Sequence, residues 1–187
     1  EIAAAFARIN STWSGLDLAV LLAGSHQPVR AWDLNAAQAR ALVETNLIGV
    51  LNASAALAPA FCRSASGAIA IVSSVAGYGG LPGSLIYGAT KAALINFAET
   101  LYLDLAPRGI GVYLVNPGFV KTPLTDKNEF KMPALISAEA AAEEMIKGFE
   151  GGRFEIHFPK RFTFWLKLLR LLPYRIYFPL IHKFTGL

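Results

Sequence analysis

Four short apolar runs, each closed by a Ser or Asn at its end or by a Gly or Pro just after it, constrain this chain more than any other feature. They occupy residues 16–23 (Leu-Asp-Leu-Ala-Val-Leu-Leu-Ala), 67–73 (Gly-Ala-Ile-Ala-Ile-Val-Ser), 111–116 (Gly-Val-Tyr-Leu-Val-Asn) and 153–158 (Arg-Phe-Glu-Ile-His-Phe). Runs of this length with little polar alternation suit strands buried on both faces of a parallel sheet. Helical stretches intervene at about 34–62, 85–106 and 137–149, the last with Ser137 placed as an N-cap ahead of Glu139, and the alanine-rich residues 3–7 also read as helix. Strand, helix, strand with right-handed crossovers gives an α/β layer sandwich around a parallel sheet. Ligands in such sheets bind at the carboxyl ends of the strands, where Gly24, Ser74 and Asn116-Pro117-Gly118 all fall.

Chemistry enters with Tyr87 and Lys91, four residues apart in the helical stretch and thirteen or more beyond Ser74. A spacing of four puts phenol and ammonium on one helix face. A fixed cation favours the phenolate, so the pair is expected to bring the tyrosine pKa down from about 10 toward the range useful for exchanging a proton with a substrate oxygen. A serine hydroxyl from a neighbouring strand end would orient that oxygen. Taken singly the pieces are commonplace: a Ser-Ser at a strand end often caps a helix, Asn-Pro-Gly is an ordinary turn, and a lone buried Asn is usually just hydrogen-bonded. Their conjunction in one order is what carries weight.

With Ser73-Ser74-Val75-Ala76-Gly77, Tyr87-Gly88-Ala89-Thr90-Lys91, Glu44-Thr45-Asn46, Leu22-Ala23-Gly24 and Asn116-Pro117-Gly118-Phe119-Val120-Lys121-Thr122, the chain resembles the classical short-chain dehydrogenase/reductase family along almost its whole length. The resemblance implies a Rossmann-like doubly wound parallel sheet, NAD or NADP as cofactor, and a catalytic set of Asn46, Ser74, Tyr87 and Lys91. In that set Ser74 polarises the carbonyl and Tyr87 is the general acid or base. Lys91 tunes Tyr87 and holds the nicotinamide ribose, and Asn46 anchors a water that leads protons inward. Ser73 fits the family spacing less well. Ala23, Gly24, Tyr87, Lys91, Pro117, Gly118, Val120 and Thr122 are the implied cofactor contacts. Leu22 departs from the pattern, standing where the family has a strand-bracing asparagine, a loss expected to touch stability more than chemistry.

The family's glycine-rich turn, whose amides and following helix N-terminus hold the cofactor pyrophosphate, has no match here; Gly77, Gly79, Gly80 and Gly83 follow the serine strand instead. The resemblance therefore implies that the N-terminal strands are missing, that the 187 residues are a fragment, and that alone they bind dinucleotide poorly and lack turnover. Residues 1–159 read as the C-terminal portion of a dinucleotide-binding catalytic domain and 160–187 as a basic, amphipathic, aromatic-rich segment.

Charge separates these two parts. All 13 Asp and Glu lie in residues 1–155, whereas 156–187 hold 6 Lys and Arg and no acidic residue, so the basic character belongs to the tail. From Phe158 onward lie 8 of the 21 aromatics, with Trp165-Leu166-Lys167-Leu168-Leu169-Arg170-Leu171-Leu172 amphipathic if helical and Pro173 and Pro179 expected to break it into short pieces. No uncharged run in the tail reaches the roughly 18 residues a spanning helix needs. Two readings stay open: an interfacial helix on an anionic membrane surface, or a face packed on the domain or on another subunit. Aromatics that alternate with aliphatics suit burial better than base stacking, so nucleic acid is not expected. The loop at 119–136 has no periodicity and reads as a substrate lid, with Phe119, Leu124, Phe130, Met132, Leu135 and Ile136 as an apolar wall, or else as a plain surface loop. Cys62 has no partner for a disulfide and reads as an inert thiol, and His26, His157 and His182 lack ligand spacing, so no metal is expected.

The leading expectation is an NAD(P)-dependent oxidoreductase interconverting a carbonyl and a secondary alcohol, on a lipophilic substrate of fatty acyl, sphingoid, retinoid or steroid-like type. The rival is a non-catalytic dinucleotide-binding or membrane-associated scaffold of the same fold. A cytoplasmic protein, peripheral at the inner face of a membrane if the tail binds lipid, is expected, as is a homodimer or homotetramer paired through the two long helices.

Overall fold

The apolar runs become β1 (Leu18–Leu21), β2 (Ala68–Val72), β3 (Gly111–Pro117) and β4 (Glu155–Phe158) in the computed structural model, which describes residues 2–13, 15–128, 130 and 132–186. They hydrogen-bond in the order β1-β2-β3-β4, all parallel, with Val20 opposite Ala70, Ala70 opposite Tyr113, and Val115 opposite Ile156. Alternate residues face opposite sides. Ile69, Ile71, Val112 and Leu114 meet Val50, Leu57 and Phe61 of α3 (Gly49–Ser64) and Leu94, Ile95 and Ala98 of α4 (Leu85–Leu105). Val72, Val115, Ile156 and Phe158 meet Ala141 and Met145 of α5 (Ala138–Glu150) on the other side. Helices on both faces explain why β1, β2 and β3 carry almost no polar alternation, whereas in β4, at the end of the strand order, Glu155 and His157 alternate with the buried Ile156 and Phe158.

The helices begin where local chemistry supplies a cap. Asn35 accepts from the Ala37 and Gln38 amides at 2.9 and 3.1 Å to open α2 (Ala36–Val43), and Ser137 accepts from Ala140 at 3.2 Å to open α5. An N-terminal helix, α1 (Ile2–Trp13), precedes the sheet. Helix α2 runs into α3 through a π turn at Glu44–Ile48, which carries the fully buried Asn46. By length and composition the continuous Ala36–Ser64 helix could cross a membrane. Its buried stripe of Leu42, Val50, Leu57 and Phe61 identifies it instead as a core helix of the sandwich.

The tail forms α6 (Lys160–Arg170) and α7 (Tyr174–Thr185). Pro173 separates them as the sequence suggested, but Pro179 lies inside α7, contrary to the expected break. Only one backbone bond is lost at a proline, and burial of Tyr177 and Ile181 on either side of it holds the helix together. The inner face of the tail is docked. Lys167 pairs with Glu155 of β4, the Tyr177 hydroxyl donates to the Gly80 carbonyl at 2.8 Å, and Thr163 is fully buried.

Candidate active site

The rim where β1 and β2 end is built from residues of three separate segments. Ser73 and Ser74 close β2 but do different work. The Ser73 hydroxyl donates to the Lys91 carbonyl at 2.8 Å and its amide to Val115 O at 2.8 Å, so it is structural. The Ser74 oxygen accepts from Ala76 N at 3.1 Å, capping a 3-10 turn at Val75–Gly77, which leaves its own proton free to donate. Tyr87 and Lys91 project from the first two turns of α4, and the Ser74 hydroxyl lies close enough to the phenol to oppose its pKa shift. Lys91 Nζ stands 5.6 Å from the Tyr87 ring centroid and donates to Val72 O at 2.9 Å.

Electrostatics corrects one expectation. The sequence pairing suggested that Lys91 would bring the phenol down; in the folded chain burial pushes Tyr87 up, and the neighbouring Ser74 hydroxyl only partly offsets this. The ammonium lies over the ring and is turned to the Val72 carbonyl, so burial wins. The same burial brings Lys91 down from 10.5 to about 8. None of the ion pairs among the described residues includes it. A buried ammonium with one backbone acceptor retains two N–H donors for a ligand.

Beside it the wall is open. Leu22, Ala23 and Gly24 are exposed at the end of β1, and a Cβ on Gly24 would stand only 3.7 Å from Lys91 Nζ and 3.6 Å from Asn46 Oδ1. Leu22 is 62% exposed, so no buried partner takes up the bracing role that the family gives its asparagine. Asn46 braces the next residues instead: Oδ1 accepts from Ser25 N at 2.7 Å, and Nδ2 donates to Ser25 O at 2.8 Å and to Thr90 Oγ1 at 3.3 Å. Thr90 in turn donates to Tyr87 O at 2.7 Å. A chain of hydrogen bonds therefore ties the β1 end, the π turn and the tyrosine helix together.

That clamp and this open, donor-rich rim follow the order of the short-chain dehydrogenase family pattern, which matches residues 1–132. The chain belongs to the short-chain dehydrogenase family. Among curated relatives of this chain, an uncharacterized oxidoreductase of Myxococcus xanthus is 37% identical over 159 residues, covering 85% of this chain and 63% of the relative. A 3-oxoacyl-[acyl-carrier-protein] reductase of Staphylococcus aureus is 36% identical over 126 residues, covering 67% of this chain and 51% of the relative. The chain thus spans about half to two thirds of the length of these proteins. A short-chain dehydrogenase from Sphingobium yanoikuyae, solved in complex with NADPH, superposes with a TM-score of 0.76 at 26% identity, over 88% of this chain and 66% of that one.

Within the short-chain dehydrogenase frame, the remaining expected contacts sit on the β3 side. Pro117 ends β3, and the Gly118 amide donates to Phe158 O at 2.7 Å. A Cβ on Gly118 would press to 3.0 Å from Phe162, so α6 needs glycine there. Val120 pairs with Ile136 across the neck of the 119–136 loop, and Thr122 is engaged in its own turn, its amide donating to Thr125 Oγ1 at 3.0 Å. Phe119 packs on both Phe130 and Phe162 at 5.6 Å, while Phe130 and Leu135 stay exposed; Glu129 and Lys131 of this loop lie outside the described residues.

Two features escaped the sequence reading. His26 sets its ring against Tyr87 at 4.7 Å, and burial, helped by Lys127, holds its pKa below the usual range despite Asn128 pulling the other way. Its place two residues after Gly24 was the available signal. Tyr78, Asn116 and Lys167 all donate to Glu155, the first two at 2.7 and 2.9 Å. Burial alone would raise the Glu155 carboxyl, but the hydrogen bonds from Lys167, Tyr78 and Asn116 hold it below its ordinary value.

Proposed function

We propose that this chain supplies the catalytic side of an NAD(P)-dependent oxidoreductase that interconverts a carbonyl and a secondary alcohol. The single observation that carries the reading is the buried Lys91, which has no ion-pair partner among the described residues, beside the Tyr87 ring and the Ser74 hydroxyl. The nicotinamide cofactor, when bound, supplies or takes the hydride. Lys91, with two donors to spare beside the open Gly24 wall, suits the hydroxyls of a ribose, a neutral polyol that needs hydrogen bonds and tolerates a cation. Tyr87, held protonated by burial, donates its proton to the substrate oxygen during reduction, and the Lys91 charge stabilises the phenolate left behind. Ser74, its oxygen fixed by the Ala76 amide, directs its proton to the same substrate oxygen. Asn46 acts by position, holding Ser25 and, through Thr90, the helix that presents Tyr87.

The substrate in this reading is a lipophilic carbonyl, supported by the aromatic cluster of Phe119, Phe130 and Phe162 on the loop beyond β3 and by the acyl substrate in the name of the S. aureus relative. Pairing of subunits through the outer sides of α3 and α4 is part of the same proposal, supported by the exposed Tyr102 and Leu103 on α4. Carbonyl-dependent oxidation of NADPH or NADH by the whole gene product, over a panel of acyl and cyclic ketones, is the test. Cofactor binding with no turnover on any of them would favour a non-catalytic scaffold.

A further inference from the structure

The tail offers two unlike faces. Its inner face is spoken for: Phe162 on Phe119, Lys167 on Glu155, Tyr177 on Gly80 and Ile181 in the interior. Its outer face exposes large apolar side chains that no described residue covers. Phe164, Trp165 and Leu168 on α6 and Leu171 just after it follow helical spacing along one side, with Trp165 64% and Leu171 78% exposed. Tyr174 and Phe178 stack at 5.2 Å on α7, with Tyr174 75% exposed. Five cations, Lys160, Arg161, Arg170, Arg175 and Lys183, are exposed among them, and no acidic residue occurs after Glu155.

We propose that this outer face of α6 and α7 docks on an anionic phospholipid bilayer. Burying such aromatics and leucines into the boundary between headgroups and acyl chains removes them from water, while exposed Lys and Arg beside them meet lipid phosphates. At the start of α6 the two requirements coincide in an open groove lined by His157, Lys160, Arg161, Phe164 and Trp165, a cationic rim beside two aromatic rings. A second copy of the chain is a poor occupant, because like faces would bring five cations against five. Spanning is excluded by size: helices of 11 and 12 residues reach only about 17 Å, against a hydrocarbon core of about 30 Å. The tail therefore lies in the plane of the surface. Docking of this face does not depend on the chemistry at Tyr87, although Phe162 on the inner side of α6 touches the loop at Gly118 and Phe119 and so places the membrane near that loop.

Deleting the tail would strip Phe162, Thr163, Leu166, Tyr177 and Ile181 from the fold, so exposed point substitutions are the cleaner test. The full chain is sedimented with phosphatidylcholine vesicles, with and without phosphatidylserine, and compared with two variants whose circular dichroism matches the parent: Arg161→Glu/Arg170→Glu/Arg175→Glu and Trp165→Ser/Leu168→Ser. The parent is expected on the serine-containing vesicles only, and to be released as salt is raised from about 0.05 to about 0.5 M. Each variant is expected to bind at least about tenfold more weakly. Trp165 fluorescence, read in a Trp13→Phe/Trp32→Phe background, should shift to the blue on the same vesicles. Equal partition of parent and variants, equal binding to neutral vesicles, or a dimer in lipid-free sedimentation that Trp165→Ser/Leu168→Ser dissolves would each overturn the proposal, the last by assigning the face to a second copy.

Discussion

Two polar clusters lie near the carboxyl end of β2, and they treat charge in opposite ways. Around Glu155 the carboxylate faces a cation, a phenol and an amide, so the charge is matched and the carboxyl stays ionised below its ordinary range. Around Lys91 the cation faces one carbonyl and an aromatic ring, and its pKa falls to about 8. The first arrangement stabilises a junction between β2, β3, β4 and α6. The second leaves a buried charge short of partners, which costs stability unless a ligand completes it. Compensation within the protein is what a structural cluster needs, and a buried cation short of partners among the described residues is what the proposed site needs.

The comparison is broken most directly at Tyr87. Tyr87→Phe removes one hydroxyl and leaves the ring packed on His26, so turnover of a carbonyl substrate by the whole gene product should fall by a factor of about 10² to 10⁴ with the denaturation midpoint nearly unchanged. Near-normal turnover would show that the uncompensated cluster is not the reacting one. At the other cluster, Glu155→Ala strands Lys167 and removes the acceptor of Tyr78 and Asn116. We expect a loss of about 2 to 3 kcal/mol in urea denaturation, moderated because the pair is part exposed. A loss under about 0.5 kcal/mol would mean that the matched charges contribute little.

Lys91→Met sharpens the contrast because its two effects have opposite signs. Below about pH 8 the ammonium is charged in both folded and unfolded chains and the folded state bears the cost of burying it. Removing it should stabilise the chain at pH 7 by about 1 to 2 kcal/mol, after allowing for the bond lost at Val72 O, while abolishing turnover. Between about pH 8 and 10.5 the unfolded chain holds more protons than the folded one, so the parent gains stability as pH rises and the advantage of the variant shrinks. A variant less stable than the parent at pH 7, with no narrowing of the gap toward pH 10, would place Lys91 among the structural residues.

The extent to which this was legible in the chain follows the range of the interactions. Strands buried on both faces announce themselves as local apolar runs, and Ser137 and the four-residue step from Tyr87 to Lys91 are equally local, so these were read correctly from sequence. Glu155 was invisible because its partners come from 77, 39 and 12 residues away and nothing in its own run differs from a solvated glutamate. The direction of the Tyr87 shift was misread for a related reason. Adjacency to a cation can be counted along a helix, whereas desolvation depends on what the whole fold lays over the ring. Pro179 shows the same limit, since a breaker judged by its own lost bond is overruled by Tyr177 and Ile181 packing on both sides.

The smallest expected effect tests whether the structural cluster extends to the tail without reaching the chemistry. Tyr177 abuts Gly79, where a Cβ would meet its hydroxyl at 2.6 Å, and donates to Gly80 O, so α7 is tied to the segment that follows Ser74. Tyr177→Phe keeps the ring in place and removes one neutral hydrogen bond, which should cost about 1 kcal/mol in equilibrium denaturation. Because Ser74 is fixed by the Ala76 amide and Tyr87 by α4, neither of which Tyr177 bonds, kcat for the carbonyl substrate should stay within about twofold of the parent. A large fall in kcat at unchanged stability would mean that the glycine segment transmits the position of the tail to the serine, and that the two clusters, though opposite in charge, are mechanically one.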